Sequence, residues 1–466
     1  MKFRKFGKTV LTAALSSAIV ISLSSCVRSF SVGYLYVTGT VTGTPTGNGI
    51  VSGFRIDNNT GKLSILHGSP VASGGANPVR IVLLLGGNFV YVLNQGANRE
   101  GNLACTASDP CLNSNITQFV VGGNGILTPQ ETFYTQGFNP MRLIADASGA
   151  HLIALDHDAP GTANPSLPSS PTNPNTYCAT AGSTTGTCGD ATVFSVNATT
   201  GRLTLVTNAQ LTSSAGTQVT YFPVPADPID FTLSGNYLFT LAGAPSASPS
   251  TVVTANGQTA FPYSLNLSSG QLSIVTNTPQ VLNIAGGTEM GQGSAIVNSG
   301  GTVYILDNDV DPTTQVPGQI LSFRQSGTNG NLSPIVGGTV PDDPTETNPI
   351  YLIVESKGKF LYVANQQGYT STNAAGIAAF TIDPSSAQLT EDPGSPVPYT
   401  GTGAVPQCLI EDPSNQYIYT ANSGDSTITG HVLDPNSGLL TPMKGSSGTF
   451  SVNGPATWCV ATGRTN

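Results

Sequence analysis

Two arginines stand at matching places in a repeated phrase, Asn77-Pro78-Val79-Arg80 and Asn139-Pro140-Met141-Arg142. In further copies the same place holds Asp230, after Asp227-Pro228-Ile229, Tyr351, after Asn348-Pro349-Ile350, and Cys408, after Pro406-Gln407. A guanidinium can grip an anion with two parallel N–H donors, or stabilise an oxyanion as it forms. A carboxylate such as Glu289 could serve as a general base. The candidates for chemistry are therefore Arg80 and Arg142 as donors and Glu289 as base, with Asp230, Tyr351 and His157 as ligand-binding groups. His157 qualifies because it lies in a long polar stretch between Asp156 and Asp158. The same arginines would serve equally well as ion-pair partners for acidic and amide groups at strand starts.

A second cluster points to a metal. Asp307-Asn308-Asp309-Val310-Asp311 places carboxylates at alternate positions, as calcium loops do at their start. Pro312 stands where such a loop needs glycine, so Asp307, Asp309 and Asp311 read either as calcium ligands or as a solvated acidic loop. Calcium is the one cofactor this chain suggests. The seven cysteines include two close pairs, Cys105 with Cys111 and Cys178 with Cys188, that read as local disulfides stapling loops in an exported protein. Cys408 and Cys459 lie in two apolar segments. Aligned on the prolines before them they have the same parity, so two buried thiols are expected, a bridge being the alternative.

These residues must be positioned by a repeat. Its best copy runs Lys359-Phe360-Leu361-Tyr362-Val363-Ala364-Asn365, then Ile377-Ala378-Ala379-Phe380-Thr381-Ile382-Asp383, then a turn and Leu389. Period-two alternation bounded by Gly, Pro, Asn and Ser marks half-buried antiparallel strands. The first-strand position recurs as Tyr36, Tyr91, Ile153, Phe239, Tyr304, Tyr362 and Tyr419. The second-strand ring recurs as Phe54, Phe119, Phe194, Tyr263, Phe323, Phe380 and His431, which makes His431 a core ring. The leucine recurs as Leu63, Leu127, Leu203, Leu272, Leu332, Leu389 and Leu440. Seven copies with several strands each predict an all-β, seven-bladed propeller of four-stranded antiparallel blades. The Asn-Pro phrases open the innermost strands. The first copy lacks one, and the chain ends with a spare, Gly454-Pro455-Ala456-Thr457-Trp458-Cys459-Val460, expected to complete the N-terminal blade and close the ring.

The Tyr-Val-Ala-Asn segment, followed by Phe-x-Ile-Asp and a leucine after the turn, resembles the lactonase-like seven-bladed propellers. These include 6-phosphogluconolactonase-type enzymes and YVTN-repeat envelope proteins. The resemblance covers residues 34–463. It implies ring opening of a lactone by polar groups at the channel mouth, with a histidine after the inner-strand proline. This chain places Arg80, Arg142, Asp230, Tyr351 and Cys408 there instead, so no catalytic histidine carries over. The leading expectation is a ligand- or protein-binding scaffold, with a protein or carbohydrate held by the face bearing the long loops. The alternative is a lactonase acting on a small sugar-derived lactone at the channel mouth. The long loops, 95–115, 157–190 and 244–258 among them, share one face. Short turns such as Gly86-Gly87-Asn88 share the other.

The N-terminus reads as a targeting segment. Lys2, Arg4, Lys5 and Lys8 precede an apolar run from Val10 to Leu23, too short to span a bilayer comfortably. Leu23-Ser24-Ser25-Cys26 resembles a bacterial lipobox. Residues 1–25 are therefore expected to be a signal peptide, Cys26 the lipidated residue, 26–33 a tether and 34–466 the propeller. That places the protein in the bacterial cell envelope, periplasmic or at the outer membrane or cell surface, held to the membrane by its lipid. Loss of four basic residues takes the net charge from −9 to −13, which argues against nucleic acid as a partner.

Overall fold

The computed structural model describes residues 31–463 except 42–47, 85, 97–113, 160–188, 209–215, 226–227, 243–258, 276–279, 282–292, 309–317, 369–374, 400–404 and 444–447. Each copy of the repeat forms one antiparallel sheet, and seven sheets form the ring. The second blade shows the order: Pro78–Leu83 innermost, then Phe89–Asn94, Asn115–Val121 and Leu127–Phe133. The outermost strand is continuous there and in the fifth blade (Leu332–Pro341). In the other five blades it is broken into two short pieces that both pair with the third strand. The ring closes as expected. Ala456–Gly463 is the innermost strand of the first blade and pairs with Ser31–Thr40, Tyr36 opposite Val460 and Thr38 opposite Trp458. Among the described residues no helix is long and apolar enough to cross a membrane.

Alternation along the second strands fills the core. In His151–Asp158, Leu152 and Ala154 pack toward the second blade, while Ile153 and Leu155 pack toward the fourth. One apolar cluster thus sits in every wedge between neighbouring blades. Burial is therefore spread around the ring, which lets a chain of modest apolar content stabilise a large fold.

The repeated tyrosine and glycine lock neighbouring blades together. Tyr36 Oη donates to the Gly125 carbonyl of the next blade at 2.7 Å, Tyr362 to Gly438 at 2.7 Å and Tyr419 to Gly61 at 2.7 Å. Tyr91 makes the same bond to Gly201. Gly61 illustrates why the turn needs glycine. Its φ is +67°, and a Cβ there would lie 2.4 Å from the Tyr417 ring.

All seven innermost strands carry a bulge toward their start, at the residue that follows the proline or, in the first and fifth blades, Ala456 or Gly293. Asn77, Asn139 and Asn348 precede it with φ of 49°, 54° and 57°, a left-handed conformation that asparagine tolerates. In the first blade, however, Ala456 and not Pro455 takes the place before the bulge: Ala456 pairs with Gly39 and Trp458 with Thr38. That offset of one residue reverses the parity expected for Cys459. Cys408 and Cys459 therefore face each other across the wedge between the seventh and first blades. They form a disulfide with Cα atoms 5.9 Å apart, which corrects the expectation of two free thiols.

Candidate functional site

The bulge aims the residue that follows it, and seven residues hold that place on the innermost strands: Trp458, Arg80, Arg142, Asp230, Ala295, Tyr351 and Cys408 from the first to the seventh blade. Asp230 gathers both arginines. Its Oδ1 accepts from Arg80 Nη2 at 3.3 Å and from Arg142 Nε at 3.1 Å, and its Oδ2 accepts from the Ile296 backbone N–H at 3.2 Å. The Arg80 guanidinium lies 3.4 Å from the centroid of the Trp458 ring and 5.7 Å from that of Tyr351. The two aromatic rings meet edge to face at 4.6 Å. Cation–π contact holds the buried arginine from one side and the carboxylate from another.

The electrostatics are tight. Burial, then the neighbouring Arg142, pulls the Arg80 pKa from 12.5 down to about 10, against the opposing pull of Asp230 and Tyr351. Burial pushes the Tyr351 phenol up. Two guanidiniums share one carboxylate, so the cluster carries a net positive charge at neutral pH. Arg80 Nη1 is buried without a hydrogen-bond partner.

A cavity of about 760 Å³ starts at this layer and runs toward the short-turn face. Arg80, Asp230, Tyr351 and Trp458 form its inner end, and Gly86, Gly87, Ala147 and Gly463 its outer end. Its walls are largely aliphatic and aromatic, with Leu83, Leu143, Phe231, Ile353 and Leu409. Asp146 also lines it, with its Oδ2 3.1 Å from His151 Nδ1.

Four of the sequence candidates thus converge: Arg80, Arg142, Asp230 and Tyr351. His157 stands apart, at the end of the second strand of the third blade, 3.1 Å from Asp158. Asp307 ends a strand and is buried. Asp309 and Asp311 lie outside the described residues, as do Glu289, Cys26, Cys105, Cys111, Cys178 and Cys188. Sequence reasoning missed Trp458, because Pro455 suggested a register one residue off, and Ala295, whose strand opens on glycine and not on proline. Aligning the copies on the strand that pairs with Thr38 would have found the tryptophan.

The family description "Lactonase, 7-bladed beta-propeller" matches residues 310–457. By fold this is a seven-bladed propeller, and residues 310–457 resemble the lactonase family. The periplasmic gluconolactonase of Pseudomonas aeruginosa superposes with a TM-score of 0.59 at 16% identity, covering 93% of this chain and 99% of that one. A provisionally assigned 6-phosphogluconolactonase of Bacteroides fragilis gives 0.58 at 18% identity, covering 92% and 98%. A protein from Lactobacillus plantarum gives 0.55 at 15%, covering 92% and 99%. At these identities the likeness is one of fold. Comparison with curated proteins returns no sequence match.

Proposed function

We propose that this lactonase-like propeller is a binding protein whose channel cavity takes a small organic anion with an apolar body. One observation carries the reading. The inner end of a cavity with largely aliphatic walls is a buried, net-positive cluster, and Arg80 within it keeps an unpartnered N–H donor. An anionic head would restore the missing counter-charge, and the aliphatic walls would cover the rest of the ligand. Asp230 is already committed to two guanidiniums and a backbone N–H. This favours binding over proton transfer.

The chain has a single tryptophan, and Trp458 is packed on Arg80. Its fluorescence therefore reports on the cavity directly. Titration with medium-chain carboxylates should change that fluorescence saturably. The matching alcohols should not, and Arg80→Met should abolish the response. A flat response to every carboxylate at millimolar concentration would refute the reading.

The second reading, a lactonase, is favoured by the family match and by the enzymes that share the fold. There Arg80 and Arg142 would steady the oxyanion of an opening lactone. Turnover of sugar lactones by residues 27–466, lost in an Arg80→Ala, Arg142→Ala double variant, would establish it. We further propose that the protein is lipid-anchored at Cys26 in the cell envelope. Seven residues separate Cys26 from Tyr34, a span of at most about 25 Å. Such a tether would turn the short-turn face, and the cavity's outer end, toward the bilayer. Labelling with a radioactive fatty acid, lost in Cys26→Ala, tests the anchor.

A further inference from the structure

A second concentration of chemistry lies at the junction of the fifth and sixth blades, away from the channel. Asp342 and Asp343 follow the outermost strand of the fifth blade, and Glu346 opens the innermost strand of the sixth. Asn365 lies in the next strand, Gly376 begins the third, and Tyr399 follows the short outer strand Val397–Pro398. The topology thus brings oxygen-bearing side chains from several strands into one blade junction. None of the ion pairs among the described residues reaches Asp342, Asp343 or Glu346.

The oxygens outnumber the donors that reach them. Asp342 is 1% exposed, and its carboxylate oxygens make no well-formed hydrogen bond, the Asp343 N–H and the Asn365 amide being the donors beside them. Glu346 is 0% exposed. Its Oε2 accepts from Asn365 Nδ2 at 2.7 Å, and its Oε1 has no partner. Asn365 Oδ1 is buried and unpartnered too, and the Tyr399 hydroxyl is buried beside the Asn365 backbone. Gly376 keeps the space open: a Cβ there would lie 2.6 Å from both Glu346 Oε1 and the Val397 carbonyl oxygen. Those two oxygens therefore lie within about 5 Å of each other, close enough to share an ion. A buried acceptor without a donor costs about 1–3 kcal/mol, and more when charged. A cation removes that cost for several acceptors at once.

We propose that Asp342, Glu346 and Asn365, together with the Val397 carbonyl, form a calcium site between the fifth and sixth blades. Among the described residues no three Asp, Glu, His or Cys side chains surround one point, so the shell combines two carboxylates with neutral oxygens. Calcium accepts that mixture of carboxylate, amide and backbone oxygen, and the set offers neither the imidazole nor the thiolate that zinc or copper would favour.

Terbium replaces calcium and emits when a nearby tyrosine is excited, and Tyr399 is placed to excite it. The chain, cleared of metal with EGTA, should give a saturable one-to-one terbium emission at pH 7.5 that calcium displaces. Calcium at a hundred times its Kd should raise Tm by about 3 °C. Asp342→Asn with Glu346→Gln should lose both responses, while Asp309→Asn with Asp311→Asn should keep both. Should the first pair fail to fold, Tyr399→Phe should lose the emission and keep the calcium-dependent Tm. No emission and no shift in the unmutated chain would overturn the site. So would loss of both responses in the Asp309, Asp311 variant alone.

Discussion

Asp230→Asn is the substitution that tests the channel cluster most sharply. The carboxylate is buried and serves three donors: Arg80 Nη2, Arg142 Nε and the Ile296 N–H. An asparagine offers one acceptor oxygen and turns an NH2 group toward a donor, so at least one of the three contacts is lost. The larger effect is on charge. Arg80 already sits at a disadvantage with Asp230 present, since the fall of its pKa from 12.5 to about 10 is worth about 3 kcal/mol at ~1.4 kcal/mol per tenfold change in its proton affinity. Removing the counter-charge strands a buried cation, a change that costs about 3–5 kcal/mol. Arg80→Met should cost less, because Asp230 keeps Arg142, which is a quarter exposed and stays hydrated. Adding Asp230→Asn to Arg80→Met should then cost at least about 2 kcal/mol less than in the unmutated background, the coupling expected of a buried pair. Urea unfolding at pH 7, followed by circular dichroism with the slope held constant, reads all four proteins. Strict additivity, or an Asp230→Asn protein within about 1 kcal/mol of the unmutated chain, would refute the account of the cluster as an electrostatic unit.

Three further outcomes follow from the fold. Tyr362→Phe removes a buried blade-to-blade bond and leaves the Gly438 carbonyl without it; a loss of about 1–2 kcal/mol is expected, readable as a lower urea midpoint. Burial raises the Asp156 carboxyl to about 7, beside Asp190, which is raised well above its usual range by burial and by Asp156. The folded state therefore holds a proton that the unfolded state releases. The stability this carboxyl supplies is complete below pH ~4 and is lost as the pH climbs to about 7. Asp156→Asn, the amide that the repeat itself uses at Asn94, Asn365 and Asn422, should raise Tm at pH 8 and leave it nearly unchanged at pH 4; a fall at both pH values would contradict the buried-pair reading. Finally, alkylation of the denatured, unreduced protein should leave Cys408 and Cys459 unmodified by mass spectrometry. Replacing both with alanine should cost about 2–4 kcal/mol.

The sequence alone determined the blade count, the closure and the four channel candidates. All three rest on local, repeated constraints. A tyrosine must fill a wedge, a glycine must adopt positive φ beneath the neighbouring ring, and a proline must open a strand. These demands recur from blade to blade around the ring, and chance does not imitate them. What the sequence could not supply was register at the one blade built from both ends of the chain. Pro455 occupies no strand-opening place, and a shift of one residue exchanged the faces of Trp458 and Cys459. Only the pairing of Thr38 with Trp458 decided that the tryptophan covers Arg80 and that the neighbouring cysteine meets Cys408. The convergence of Asp342, Glu346 and Asn365 was equally invisible. Their spacing matches no contiguous motif, because three separate strands and a glycine-sized gap bring them together. Packing in three dimensions set both features, since side chains distant in sequence become neighbours only once the ring is closed.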